Sequence, residues 1–156
     1  KVDLKDLVAS GQIQEEPNIK RDQVDRLIKR AVRDLDAADK TLIFDEAGAM
    51  DFAYKAMFHS ANALIRSYGF RPGPIRQHQG VIVAIGRILG EDSKAMLLRF
   101  DRLRKKRNEF EYLGLFDMSR SELEDSMDLA KKFVEAIQLL GLYWLVMNEP
   151  APPKVR

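Results

Sequence analysis

The sequence contains no cysteine and only two histidines among its 156 residues. The absence of cysteine excludes disulfides, thiolate metal sites and a cysteine nucleophile. His59 and His78 belong to neither an HExxH motif nor a Glu-x-x-His pair, and the Walker, dinucleotide and G-x-S-x-G patterns are missing as well. We therefore expect no metal site and no cofactor, and we find no signal for a serine hydrolase.

The chain also lacks a strong excess of charge of one sign. Its formal net charge is +2, so any affinity for nucleic acid has to come from a local cluster of cations. No apolar run approaches the length of a membrane span, and residues 1–5 lack the apolar core of a signal peptide. From these absences we expect a cytoplasmic protein that does not enter a membrane.

Helical periodicity dominates what is present. Apolar residues recur at spacings of three and four in four long segments, and two shorter segments have weaker helical patterns. No stretch alternates with period two, so we expect no sheet. The sequence predicts an all-α fold, an antiparallel up-and-down bundle of four principal helices with one or two short ones. The long segments are residues 21–40, 45–68, 95–112 and 119–148, and the short ones are 3–10 and 77–89.

We predict a three-part organisation of the chain. Residues 1–18 form a short helix and a loop, residues 19–148 form the bundle, and residues 149–156 form a flexible tail that contains three prolines. The last turns of the final helix are apolar nearly all round. This end is expected to be covered by the bundle or to lie at a subunit interface.

The functional signal lies in a basic stretch on the third long helix. Six of the nine residues from Arg99 to Arg107 are lysine or arginine, and Asp101 is the one acid among them. Arg107 falls within an apolar stripe, where an arginine has to snorkel, find a buried acceptor or line a cleft for an anion. Together with Asn108 and Tyr112, it could contact a phosphate and a base or ribose.

Residues 103–112, with the sequence LRKKRNEFEY, resemble the signature helix of HEPN domains, the "higher eukaryotes and prokaryotes nucleotide-binding" superfamily. The motif of that family is an arginine, usually a polar residue such as asparagine, and a histidine after four to six further positions. Arg107 and Asn108 match its opening, whereas Tyr112 stands where the histidine is expected. Residues 51–70 are similar to the Tyr- and Ala-rich helix that precedes the motif helix. The resemblance implies the same helical bundle.

In HEPN ribonucleases, the resemblance implies a dimer whose motif helices face one another and form a metal-free ribonuclease site. Arg107 would then bind phosphate and stabilise the transition state, and Asn108 would orient it. Tyr112 would take the place of the histidine, but a phenol with a pKa near 10 is a poor general base. His59 is a further candidate for that role. Outside the apolar stripe, cations on the same helix are candidates to contact phosphate backbones or to be paired with acids elsewhere. These cations are Arg102, Arg104, Lys105 and Lys106.

Three functional interpretations follow. The first is a non-catalytic or weakly active HEPN-like homodimer that binds RNA, a nucleotide or a nucleotidyltransferase partner at the motif helix. The second is a metal-independent endoribonuclease of toxin or defence type, in which Tyr112 or His59 replaces the missing histidine. The third is a helical protein-interaction module whose basic helix only confers solubility. Some HEPN toxins have a tyrosine modified by a paired nucleotidyltransferase, although the register of Tyr112 matches that target poorly.

Overall fold

The computed structural model describes the backbone of residues 2–148 and the side chains of residues 2–140. The predicted tail, 149–156, and the apolar side chains predicted for the last turns of the final helix lie outside this described part. Within it, the chain forms six α-helices, one short 3₁₀ turn at Glu91–Ser93 and two short strands. In chain order these elements are α1 (Lys5–Ala9), β1 (Ile13–Glu15), α2 (Arg21–Thr41), α3 (Glu46–Ser67), β2 (Phe70–Pro72), α4 (Gln77–Leu89), α5 (Lys94–Leu113) and α6 (Arg120–Asn148).

Helix α3 is the centre of the bundle and packs against α2, α4, α5 and α6. Small side chains make this possible, because Ala49, Ala53 and Ala56 are fully buried and let neighbouring helices approach closely. Asp45 caps the start of α3, its carboxylate accepting a hydrogen bond from the backbone N–H of Gly48 at 2.9 Å. The prediction of an all-α bundle is confirmed. No helix in the described part is both long enough and apolar enough to span a membrane.

The expectation that the chain contains no sheet is wrong. Strands β1 and β2 pair antiparallel, with Ile13 opposite Pro72 and Glu15 opposite Phe70. Each strand has three residues, which is too short for an alternating pattern to stand out in the sequence. The pairing buries Ile13 completely in the core.

The N-terminal segment is packed onto the start of α4 through two glycines. A Cβ atom on Gly73 would lie 2.1 Å from the carbonyl oxygen of Gly11, and one on Gly80 would lie 2.6 Å from the Cβ of Gln12. The backbone N–H of Gly73 also donates to the carbonyl oxygen of Gln12 at 2.8 Å. These close approaches fix the first turn of α4, which carries His78.

Candidate functional site

Arg107 lies on the inner side of α5, on the same stripe as the buried Phe100 and Leu103. Its side chain is 19% exposed and has found an acceptor, since its Nε donates to Asp51 Oδ1 on α3 at 3.2 Å. The guanidinium carbon lies 5.6 Å from the centroid of the Tyr54 ring, within the range of a cation–π contact. Arg107 is therefore held between a carboxylate and an aromatic ring of the same helix.

Tyr54 connects Arg107 to a histidine from a third helix. The Tyr54 hydroxyl and His78 Nδ1 are 2.8 Å apart, and the two rings are stacked with their centroids 5.6 Å apart. Burial raises the pKa of Tyr54 above its ordinary value, so the phenol keeps its proton at neutral pH. Among the described residues, His78 is the one hydrogen-bond partner of this hydroxyl. Because a buried O–H has to donate, we assign Tyr54 as the donor and Nδ1 as the acceptor.

His78 is consequently a neutral hydrogen-bond donor. Burial lowers the pKa of His78 to about 4, and the positive charges of Arg107 and Arg104 lower it as well. In a neutral ring whose Nδ1 accepts a hydrogen bond, the proton is on Nε2. No described residue hydrogen-bonds this atom. It reaches the surface, since no fully buried nitrogen or oxygen of the described side chains lacks a partner.

These four residues, Asp51, Tyr54, His78 and Arg107, are called the Arg107 site below. Asp51 neutralises part of its positive charge, and Lys55 lies 2.9 Å from the same carboxylate. Only the Nε of Arg107 is used by Asp51, and Glu111 approaches its Nη2 no closer than 4.0 Å. The two terminal NH₂ groups of Arg107 thus remain available, together with the Nε2–H of His78.

The structure does not bring Tyr112 to Arg107 within one chain. Tyr112 is five residues further along α5 and therefore points about 140° away around the helix axis. Its side chain is 78% exposed. Asn108, next to Arg107, is half-buried. Of the three motif residues predicted to act together, Asn108 is therefore the chain neighbour of Arg107, about 100° away around the helix axis, and Tyr112 is farther round.

His59 lies on α3 and contacts α2. Its Nδ1 is 2.7 Å from Oδ2 of the buried Asp34, whose Oδ1 accepts from the Nε of Arg30 at 3.3 Å. His59 therefore contacts Asp34 of α2 and the ring of Phe58 on its own helix, and none of its described contacts is with Arg107.

The other predicted phosphate-contacting cations are paired with acids. Arg102 is 71% exposed and lies 3.5 Å from Glu122, and Lys105 lies 3.5 Å from Asp101. The half-buried pair of cations is also engaged: Arg104 contacts Asp101 at 2.8 Å, and Lys106 contacts Asp117. Exposed ion pairs of this kind contribute little, and they lower the local excess of positive charge that a nucleic acid would meet.

The sequence analysis missed two members of the Arg107 site. Asp51 precedes Tyr54 by three positions and therefore lies on the same side of α3, a spacing that contained a usable signal. His78 gave no such signal. It is positioned by the glycine contacts of the N-terminal segment and by Arg76, which begins α4 with a positive φ of 46°.

Among residues 2–140, no group of three or more histidine, aspartate or glutamate side chains is arranged to hold a metal ion. At the Arg107 site the carboxylate of Asp51 is paired with Arg107 and Lys55, and the groups without a described hydrogen-bond partner are N–H donors, which suit an anion.

Comparison with known proteins gives one match. The family model described as "HEPN domain" matches residues 24–140, which is most of the chain. No curated protein and no solved structure matches. The matched range includes α3, α4 and α5, the three helices that supply the Arg107 site.

Proposed function

Because the chain belongs to the HEPN domain family, we propose that it binds phosphate groups of RNA or of a nucleotide at the Arg107 site without cleaving them. The observation that carries this proposal is the hydrogen bond from Tyr54 to His78, which leaves a neutral Nε2–H on His78 while the guanidinium of Arg107 contacts the ring of the same Tyr54. Guanidinium and imidazole N–H groups are suitable donors to phosphate oxygens.

The contacts that fix the Arg107 side chain also support binding. An arginine fixed by Asp51 and by the ring of Tyr54 loses little side-chain freedom when a ligand arrives. Asp51 partly offsets the positive charge, so the ligand has to contact the terminal NH₂ groups rather than replace the carboxylate. We therefore expect moderate affinity with a clear dependence on salt.

Cleavage is disfavoured by the protonation states. Hydrolysis of RNA without a metal needs a base that removes the proton of the 2′-hydroxyl. The lone pair of His78 Nδ1 is used by Tyr54, and the Tyr54 phenol is buried and keeps its proton. Tyr112, the residue at the histidine position of the motif, is exposed and points away from Arg107. Without a base at this site, binding is the better supported function.

We extend the proposal to a homodimer that forms at the end of α5. Tyr112, Leu113 and Leu115 are all exposed there and offer an apolar surface beside the motif helix. A second copy packed on this surface would bring two Arg107 sites close together and would cover Tyr112. A nucleotidyltransferase partner remains an alternative occupant of the same surface.

The direct test is the affinity for a fluorescein-labelled oligoribonucleotide, measured by anisotropy in EDTA at several salt concentrations. Arg107→Ala should weaken binding about tenfold, the loss expected for one charge-assisted contact. Arg102→Ala is the matched control, since it removes the same charge from an exposed position on the same helix. Equal losses in the two variants would contradict the assignment and would indicate diffuse electrostatic attraction.

The absence of cleavage is tested with the same oligonucleotide. Wild type and Arg107→Ala are incubated with it in EDTA, and the products are separated on a gel. We expect intact RNA in both reactions. Cleavage that disappears in Arg107→Ala would favour the endoribonuclease instead, and His78→Ala would then test whether His78 serves as its base.

A further inference from the structure

A second cationic groove lies where α3 packs against α2. It has a volume of about 310 Å³ and is distinct in its lining from the Arg107 site. Three arginines, a histidine and a glutamine surround a single apolar side chain. The lining residues, called the His59 groove, are Gln23, Arg26, Leu27, Arg30, His59 and Arg66.

His59 is held in this groove by a buried carboxylate. Asp34 is only 3% exposed and accepts at Oδ2 from His59 Nδ1, 2.7 Å away. A carboxylate accepts but does not donate, so Nδ1 carries a proton and Nε2 is left for another partner. No described residue hydrogen-bonds Nε2, and the atom is not fully buried. Asp34 thus satisfies Nδ1 of His59, and Nε2 faces the surface.

The arginines keep donors free although each has an acidic neighbour. Arg30 uses its Nε on Asp34, and Arg26 uses Nη1 on Asp22 at 2.9 Å. Arg66 uses Nη1 on Glu16 and Nε on Asn62. Each guanidinium has five N–H donors, so every one of the three retains at least one terminal NH₂ group in the described contacts. The acids orient the arginines and leave this face of the groove rich in donors.

From this arrangement we infer that the His59 groove is a second anion site, which takes the phosphate group of a phosphomonoester. The NH₂ groups of the arginines donate to up to three of its oxygens. One proton is shared between His59 Nε2 and a phosphate oxygen. A phosphomonoester has its second pKa near 6 and can carry that proton near neutral pH. Sulfate has a similar tetrahedral arrangement of oxygens, but it is a dianion near neutral pH and has no proton to share with His59 Nε2. The groove therefore discriminates by proton as well as by charge.

The test uses the fact that the chain has only two histidines, so that each gives a separate Cε1–Hε1 signal in an NMR spectrum. Inorganic phosphate is titrated into the protein at constant ionic strength, and sulfate is titrated in parallel. The His59 signal should shift in a saturable manner with phosphate, with an affinity at least about twofold higher than for sulfate, because the shared proton adds one hydrogen bond. Equal responses to the two anions would overturn the inference.

Two matched variants locate the binding. Arg26→Gln removes a cation that lines the groove without touching Asp34, and Arg33→Gln removes one from an exposed position of the same helix that does not line it. We expect Arg26→Gln to weaken the His59 response about fivefold and Arg33→Gln to leave it unchanged, on the scale of a single charge-assisted contact. A response that is equal in the two variants would overturn the site. Adenosine 5′-monophosphate and adenosine, titrated in turn, distinguish a nucleotide from free phosphate as its source.

The inference is independent of the function proposed for the Arg107 site. The His78 signal reports that site and should respond in wild type but not in Arg107→Ala. The His59 signal should respond in both proteins. Loss of the His78 response alone would count against the Arg107 site, and loss of the His59 response alone would count against the His59 groove.

Discussion

The two histidines both contact Phe58 of α3, but they have opposite kinds of hydrogen-bond partner. His59 is held from α2 by the carboxylate of Asp34, whereas His78 is held by the hydroxyl of Tyr54. A carboxylate accepts from Nδ1 and leaves the other ring nitrogen as the reactive position. A phenol donates to Nδ1 and leaves an N–H there. The same type of side chain therefore presents different chemistry at the two positions.

The comparison explains why position in a motif is a poor guide to chemistry here. His78 is hydrogen-bonded to Tyr54, whose ring the arginine of the motif contacts, yet this partner makes His78 a neutral donor rather than a base. His59 has the carboxylate that a base would need, yet it lies against α2 and away from that arginine. Neither histidine combines both requirements of the ribonuclease site that the motif implies.

The largest expected effect comes from removing the carboxylate of Asp34. Asp34→Ala should lower the free energy of unfolding by about 3 kcal/mol, because breaking a buried pair leaves His59 and Arg30 without their acceptor. Urea denaturation measures the loss. Asp36→Ala, two positions away and exposed, is the control and should cost far less. Similar losses in both variants would mean that Asp34 is not a supporting contact.

The next effect depends on pH and concerns His78. Its pKa is about 4 in the folded protein, below the ordinary histidine value of 6.5, so between these pH values the unfolded chain binds a proton that the folded protein does not. The contribution of neutral His78 to the free energy of unfolding is therefore fully present above pH 6.5 and is lost as the pH drops toward 4. The loss is on the order of 2 kcal/mol, since each pKa unit is equivalent to about 1.4 kcal/mol and the ring is partly exposed. Urea denaturation at several pH values measures it.

His78→Gln isolates this contribution from those of the carboxylates. The variant should lack the part of the stability loss between pH 6.5 and 4 that belongs to His78, whereas His59→Gln should retain it. A pH profile of His78→Gln that is parallel to that of wild type would contradict the lowered pKa.

The smallest expected effect comes from removing the hydroxyl of Tyr54. Tyr54→Phe should cost about 1 kcal/mol, because it removes one hydrogen bond and leaves His78 Nδ1 without its donor. Tyr68→Phe, at an exposed position, is the control for loss of a phenol. The result would contradict the assigned contact if both variants had the stability of wild type in thermal denaturation.

Most of the fold could be predicted from the sequence, since helices of this length carry many repeats of the apolar period. The limits expected for α4, residues 77–89, agree with the structure. The basic stretch that ends at Arg107 lies on a helix, α5, as predicted. The sheet was missed because two three-residue strands are too short to have a visible period.

The candidate site was predicted less well than the fold. A helix pattern fixes which side of α5 carries Arg107, but it does not fix which side chains of other helices meet that side. Asp51 and His78 reach Arg107 and Tyr54 through packing between α3, α4 and α5. The partner of a histidine, which decides its chemistry, is likewise a tertiary contact with no local signature.

The most direct test of the central claim is an NMR spectrum of the arginine side-chain Nε–Hε groups, recorded while a short oligoribonucleotide is added. Arg107→Lys and Arg102→Lys identify the two signals of interest. We predict that the Arg107 signal shifts with a saturable dependence on RNA concentration and that the Arg102 signal stays in place. A shift of Arg102 without any shift of Arg107 would contradict the assignment of phosphate binding to the Arg107 site.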